Sequence, residues 1–326
     1  MGDDLSLLKA EAKSFKRSAF AASTQKTYRS QLRKYLQFCV DYDCLPIPVS
    51  QPTLICYVAY LARHLSASSI PQYLNVVRIL HEEAGLGNPL SDNFELAMLK
   101  RGIRREKGVP PVQKFPISVG ILRKIHALID LSHPGDLAFW AAALVAFFAF
   151  MRKSTLLPES AAFVATKTLL REDVSDLCID SFLLKVKHSK VIQFGQKVLC
   201  LPFVCCSEAA LCPVRALLSH FGASPLGVGS SLFSYSLGGR EVVLTQRIFV
   251  SKLRALLIKV GIDPSVYSAH SFRRGGASYA FQTGLSPLQI KLRGNWASNA
   301  FERYVYISSG ATMKVARALA GGVSKQ

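Results

Sequence analysis

The chain has 326 residues, 50% of them hydrophobic and 19% charged. That composition excludes a disordered chain, and at ~100–200 residues per domain it predicts two domains. The 40 Lys and Arg outnumber the 21 Asp and Glu, for a net charge of +19, which points to a polyanionic partner. The best apolar run, Leu137 to Met151, ends against Arg152-Lys153. It falls short of the ~20 residues a membrane span needs, so no membrane partner is expected.

Residues 1–16 read as a polar lead-in with no secretory pattern. A first helix is predicted after Ser23. Tyr28, Leu32, Tyr35, Leu36 and Cys39 lie on one face, and Lys26, Arg29 and Arg33 lie among the rest. A second helix starts at Ser50 with Pro52 in its first turn, a third near Ser69 with Pro71, and a fourth covers about 93–103. Four helices with short connections predict an all-α bundle. From Lys100 to Pro116, six basic residues and three prolines stand against one acid. This reads as a basic linker over 100–116, so the domains are placed at 1–116 and 117–326. Arg101, Arg104, Arg105 and Lys107 are its candidate phosphate contacts.

The second half opens with helices near 118–130 and 134–151. Three short β-rich runs follow at 174–179, 182–187 and 197–203, a small antiparallel meander. Helical pattern returns at 213–221, 246–260, 269–282, 287–293 and 299–306. The expected fold class is an all-α N-terminal domain and a mixed α/β, mostly helical C-terminal domain with a small antiparallel sheet. The eight cysteines sit at irregular spacing, as free thiols in a reducing compartment would. Cys205, Cys206, Cys212 and His220 lack the paired spacing of a zinc set, so no metal or cofactor is expected.

Chemistry concentrates between His270 and Tyr306. His270 and Arg273 share one face near a predicted helix N-terminus, and that combination suits a phosphodiester. The guanidinium grips two oxygens, and the imidazole hydrogen-bonds or moves a proton. Arg152 follows the long apolar helix, Lys190 lies on the predicted hairpin, and Trp296 and Tyr304 come last. Taken singly, these read as a helix-end arginine, a solvated lysine and two packed aromatics.

In this order the residues resemble the tyrosine recombinase (phage-integrase-like) family. The phrases FMRKSTLLP, HSKVIQFG, HSFRRGGAS and GNWASNAFERY look most like DIRS/Ngaro- or Crypton-type recombinases of eukaryotic mobile elements. The resemblance covers the whole second domain, and the first fits more loosely a SAM-like core-binding domain. It implies that Arg152 and Arg273 hold the scissile phosphate, Lys190 protonates the leaving 5′-oxygen and His270 assists proton transfer. Trp296 would donate an indole N–H, and Tyr304 would be the nucleophile, with Tyr306 the runner-up. Arg274 is either a phosphate contact, the favoured reading, or a structural pair. Thr155 stands where many relatives carry Glu, and the common spacing from the His/Trp position to the nucleophile would land on Val305.

The resemblance further implies double-stranded DNA as partner, a homo-tetramer exchanging strands through a Holliday junction, and work in the nucleus. The apolar segment beyond Tyr304 would dock on a neighbouring subunit. The rival readings are a domesticated DNA-binding protein that no longer cuts and a type IB-like topoisomerase.

Overall fold

The computed structural model describes residues 5–110, 113–193 and 195–306, together with 313 and 317. The chain divides into two compact units, Met1–Val112 and Gln113–Gln326, a division four residues before Pro116.

The first unit holds α1 (Leu5–Ser18), α2 (Ala22–Asp41), α3 (Gln51–His64), α4 (Ile70–Glu83) and α5 (Phe94–Lys107). Ser50 and Asn93 cap α3 and α5 by accepting from Thr53 and Leu96 backbone N–H groups, as Ser and Asn do at this position. Tyr35, Phe38, Tyr57, Leu61, Leu74 and Val77 form the core, and the Tyr35 hydroxyl donates to the Pro46 carbonyl at 2.8 Å. Each such apolar side chain contributes about 1.5–3 kcal/mol when fully buried.

Two expectations change here. The polar lead-in contains α1, a helix with no buried residue. The expected linker is helical through Lys107, because Lys, Arg and Glu are good helix formers and the chain-breaking prolines begin only at Pro110. Arg101, Arg104, Arg105 and Lys107 therefore stand on α5, not on a linker.

The second unit is built around α7 (Pro134–Phe148), buried on nearly every side. It packs on α9 (Pro213–Ala223), α11 (His270–Gln282) and the hairpin β4 (Tyr235–Leu237) and β5 (Arg240–Val242). β1 (Val174–Ser175), β2 (Ser181–Val186) and β3 (Leu199–Val204) form the antiparallel meander in the order β1-β2-β3. β1 is shorter than expected because Asp176 turns the chain in the left-handed region at φ 54°. The remaining helices are α6 (Val119–His126), α8 (Lys153–Leu156), α10 (Gln246–Lys259) and α12 (Pro287–Arg293). A 3-10 turn at Asn299–Arg303 follows α12.

Gly275 and Gly276 let α11 approach its neighbours at backbone distance. A Cβ on Gly276 would sit 1.9 Å from the Phe147 carbonyl oxygen, and one on Gly275 1.9 Å from that of Ile117. Those contacts place Arg273 beside the end of α7. Among the described residues no helix is long and apolar enough to cross a membrane.

Candidate active site

Helix α7 does not continue to Arg152. It stops at Phe148, and Phe150 turns with φ 50°. Arg152 then becomes the N-cap residue of α8. The turn lifts its half-buried guanidinium out of the core and onto a small pocket that Arg273, Asn295, Ser189 and Thr155 also line. No side-chain hydrogen bond engages the Arg152 guanidinium among the described residues.

Arg273 is almost completely buried, at 2% exposure. Its Nη1 donates to the Phe150 carbonyl and its Nη2 to the Gly294 carbonyl at 3.0 Å. The guanidinium lies 3.7 Å over the Trp296 ring and 5.1 Å from the Tyr304 ring centre. Trp296 and Tyr304 meet each other with ring centres 5.3 Å apart. Burial first, then the nearby Arg152 charge, pull the Arg273 pKa below the ordinary guanidinium range, while Tyr304 favours its charged form. His270, at the head of α11, is held below the usual imidazole value by desolvation and then by Arg273, Arg152 and Lys153. Imidazole is the side chain suited to taking or giving a proton here.

Five of the six expected residues thus converge: Arg152, His270, Arg273, Trp296 and Tyr304. Lys190 stands apart. It lies with Val191 at the tip of a two-residue turn closed by mutual Ser189–Ile192 backbone hydrogen bonds of 3.0 and 3.1 Å. Its side chain is exposed, and no contact among the described residues joins it to the other five; its neighbour Ser189 lines the pocket. Trp296 meets Arg273 with its ring face and does not line that pocket, and its indole N–H is buried without a hydrogen-bond partner among the described residues. Tyr306 points elsewhere, edge-on to Phe115 at 6.5 Å.

Arg274 is corrected. It is buried at 8% exposure and donates to the Lys114 carbonyl, so it is a structural pair rather than a phosphate contact. One residue past Arg273 on a helix, its side chain emerges on a different face. Lys26, Arg29 and Arg33 are exposed on α2, and Arg101, Arg104 and Arg105 on α5. The Lys107 ammonium is occupied with the Ala62 carbonyl at 3.0 Å.

Several residues escaped the sequence. Ser278, buried one turn beyond Arg274, accepts the Tyr306 backbone N–H at 2.8 Å. Its hydroxyl lies 2.7 Å from the Arg274 carbonyl and 3.4 Å from that of Tyr304, and so ties the tyrosine segment to α11. Lys197 donates to the Asn295 side-chain oxygen at 3.0 Å. Lys153, Arg247 and Arg254 line a groove of about 510 Å³ with Gln246, Ser251 and one acid, Glu159. The spacing of Arg247, Ser251 and Arg254 along one helix face is the signal that could have found it.

No family model matches the chain. It is 25% identical over 283 residues to an integrase/recombinase, a XerD homologue of Selenomonas ruminantium, a match covering 83% of this chain and 77% of the relative. Among solved structures it resembles a lambda integrase dimer bound to a COC′ core site, at 14% identity and TM-score 0.60, over 92% of this chain and 94% of that one. The Tn1549 transposon integrase in complex with circular intermediate DNA matches at 14% identity and TM-score 0.58, over 93% and 96%. The likeness supports the tyrosine recombinase/integrase family. The fold, a mostly helical chain with a small antiparallel sheet, is that of the two-domain tyrosine recombinases.

Proposed function

We propose that the protein is a site-specific DNA recombinase that cuts and rejoins strands through a 3′-phosphotyrosine intermediate. One observation carries this reading: the buried Arg273 guanidinium touches both Trp296 and Tyr304 and shares a pocket with the unengaged Arg152. Two guanidinium groups at the pocket, one of them against Tyr304, neutralise charge building on the phosphoryl oxygens.

In the first step the Tyr304 oxygen bonds to phosphorus and the P–O5′ bond breaks. The leaving 5′-oxygen takes a proton from Lys190, and His270 accepts the proton that the phenol gives up. The phosphotyrosine ester conserves the energy of the broken bond, so a 5′-hydroxyl can reverse the step without ATP. Exposed Lys26, Arg29, Arg33, Arg101, Arg104 and Arg105, with Lys153, Arg247 and Arg254, supply the phosphate contacts that set register on duplex DNA.

The finer reading is a tetramer on two DNA sites that exchanges strands through a Holliday junction, belonging to a DIRS/Ngaro- or Crypton-type element and working in the nucleus. Of the segment beyond Tyr304 proposed to dock on a neighbour, the part from 307 onward lies outside the described residues apart from 313 and 317.

The test is a nicked suicide substrate that traps the covalent adduct. Wild-type protein and Tyr306→Phe should form it, while Tyr304→Phe should bind DNA and form none. Adduct from Tyr304→Phe but not from Tyr306→Phe would move the nucleophile. No adduct from wild type on any duplex would leave a DNA-binding protein that does not cut.

A further inference from the structure

We propose that Asn295 is a catalytic residue of this site, its side-chain amide donating to a non-bridging oxygen of the scissile phosphate while Lys197 fixes its orientation. The inference rests on the strand-transfer reading for the identity of the phosphate, and on the pocket alone for its affinity for an oxyanion.

The backbone places Asn295 first. It follows the C-cap of α12 with φ 49°, a left-handed conformation that Asn and Gly adopt more readily than other residues. The residue before it is anchored, because the Gly294 carbonyl accepts from Arg273 Nη2 at 3.0 Å. The group that would grip the phosphate therefore also holds the segment that carries Asn295. With Arg152 and Arg273, Asn295 lines the small pocket between the end of α7 and the start of β3.

Lys197 then decides which way the amide faces. An ammonium only donates, so the atom 3.0 Å from it is the Asn295 oxygen. The NH₂ group is what Asn295 has left to offer, and no partner for it is found among the described residues. Arg152, Arg273, Arg293 and the Asn295 amide make the charged and amide groups on the pocket wall donors, Arg293 being engaged with the Phe148 and Pro202 carbonyls, and no carboxylate lines it. A wall of that kind suits an oxyanion. Trp296 does not compete for this role, since the Arg273 guanidinium lies over its ring and the ring is not part of the pocket wall. Lys197, exposed on the strand side of the pocket, adds positive charge at its rim without occupying it.

The decisive variant is Asn295→Asp. It keeps the shape, tolerates the same backbone and retains an oxygen for Lys197, but turns the donating NH₂ into a carboxylate oxygen. Asn295→Gly, which accepts positive φ without strain, removes the group altogether. With the suicide duplex at saturation, Asn295→Gly should slow adduct formation by about 10²-fold, the usual effect of losing one preorganised donor, with DNA affinity nearly unchanged. Asn295→Asp should slow it more. On a duplex with a neutral methylphosphonate at the cleavage position, the gap between Asp and Gly variants should close, because no anion remains for the carboxylate to repel.

A second measurement needs no cleavage: protection of the DNA-free protein from thermal unfolding by inorganic phosphate. Wild type should be protected and Asn295→Asp should lose most of that protection. If wild type forms no adduct but this difference holds, the anion-binding role of Asn295 stands and the strand-transfer reading falls. Wild-type adduct rates and unchanged phosphate protection in Asn295→Asp would overturn the proposal.

Discussion

Replacing Gly276 with Ala should destabilise the second unit and disable the site together. The new Cβ would sit 1.9 Å from the Phe147 carbonyl oxygen and 2.6 Å from Phe150 Cδ1, where real Cβ contacts do not come under 3.0 Å. α11 must then retreat from the end of α7 by more than 1 Å, and the obstacle is backbone rather than a side chain that can rotate away. Overpacking of a close-packed core costs about 1–3 kcal/mol, sometimes more. Ala gains about 1 kcal/mol over Gly in a helix interior, so the clash at its upper end leaves a net loss of about 2 kcal/mol. At ~2–4 °C per kcal/mol for a unit of this size, the melting temperature should fall by about 4–8 °C. Arg273 lies one turn earlier on α11 and donates to the Phe150 carbonyl, so the same shift moves it within the pocket. A misplacement of about 1 Å can cost ~10²-fold in rate. Gly102→Ala on α5 is the control, because nothing lies within 4 Å of its Cβ. It should stabilise the first unit by about 0.4–1 kcal/mol. Thermal and urea unfolding of both variants, with adduct yield alongside, decides the matter. A Gly276→Ala protein as stable as wild type would refute the close-approach argument.

Neutralising Arg101, Arg104 and Arg105 with Gln should flatten the dependence of log K on log salt by about 0.9 for each phosphate that is no longer neutralised. An unchanged slope would show that this face of α5 does not meet DNA. Ser278→Ala should slow adduct formation while sparing DNA affinity, and Ser278→Thr, which keeps the oxygen, should restore it. Equal rates for all three would mean that the hydroxyl only fills space. His220 is buried against the Leu232 carbonyl, and its pKa is pulled down to about 4, mostly by burial and then by Arg171. Its folded value lies below its unfolded one, so the unfolded chain binds the extra proton first. The stability of the second unit is then fully present above pH ~6.5 and is lost as pH falls toward 4, by at most about 3 kcal/mol. His220→Asn should show a shallower loss over that window in unfolding measured at pH 7, 5 and 4.

Much of the fold was legible because it is written in local chemistry. Ser50, Asn93, Ser118 and Ser286 cap helices where the sequence placed helix starts. What escaped was mostly non-local. α1 buries nothing, so no apolar stripe into a core announces it. The hairpin of β4 and β5 carries its signal in Gly238-Gly239, both at positive φ, but its strands are only three residues long. In the site, Arg152, Arg273 and Tyr304 came from the family resemblance, the common spacing alone pointing to Val305, and the structure puts Arg152 and Arg273 on one pocket and Tyr304 against Arg273. Asn295 could not, because its place depends on a left-handed backbone and on a lysine 98 positions away. Arg274 misled for a related reason: adjacent arginines look alike in a sequence, yet one faces the pocket and the other the Lys114 carbonyl.

The positive charge of the site is held by packing rather than by counter-ions. Among the described residues, none of the ion pairs includes Arg152, His270 or Arg273. Arg273 is nonetheless buried, with two backbone carbonyls and an aromatic face as its partners. Neutral groups of this kind orient a guanidinium without cancelling its field. A carboxylate partner would lower the cost of burial, but it would also have to be given up, or would oppose the approach of a phosphate. The glycine pair on α11, the left-handed turn at Phe150 and the anchored Gly294 carbonyl are thus parts of one arrangement. In the proposed reaction they would fix donors in place before the phosphate arrives, leaving little to reorganise.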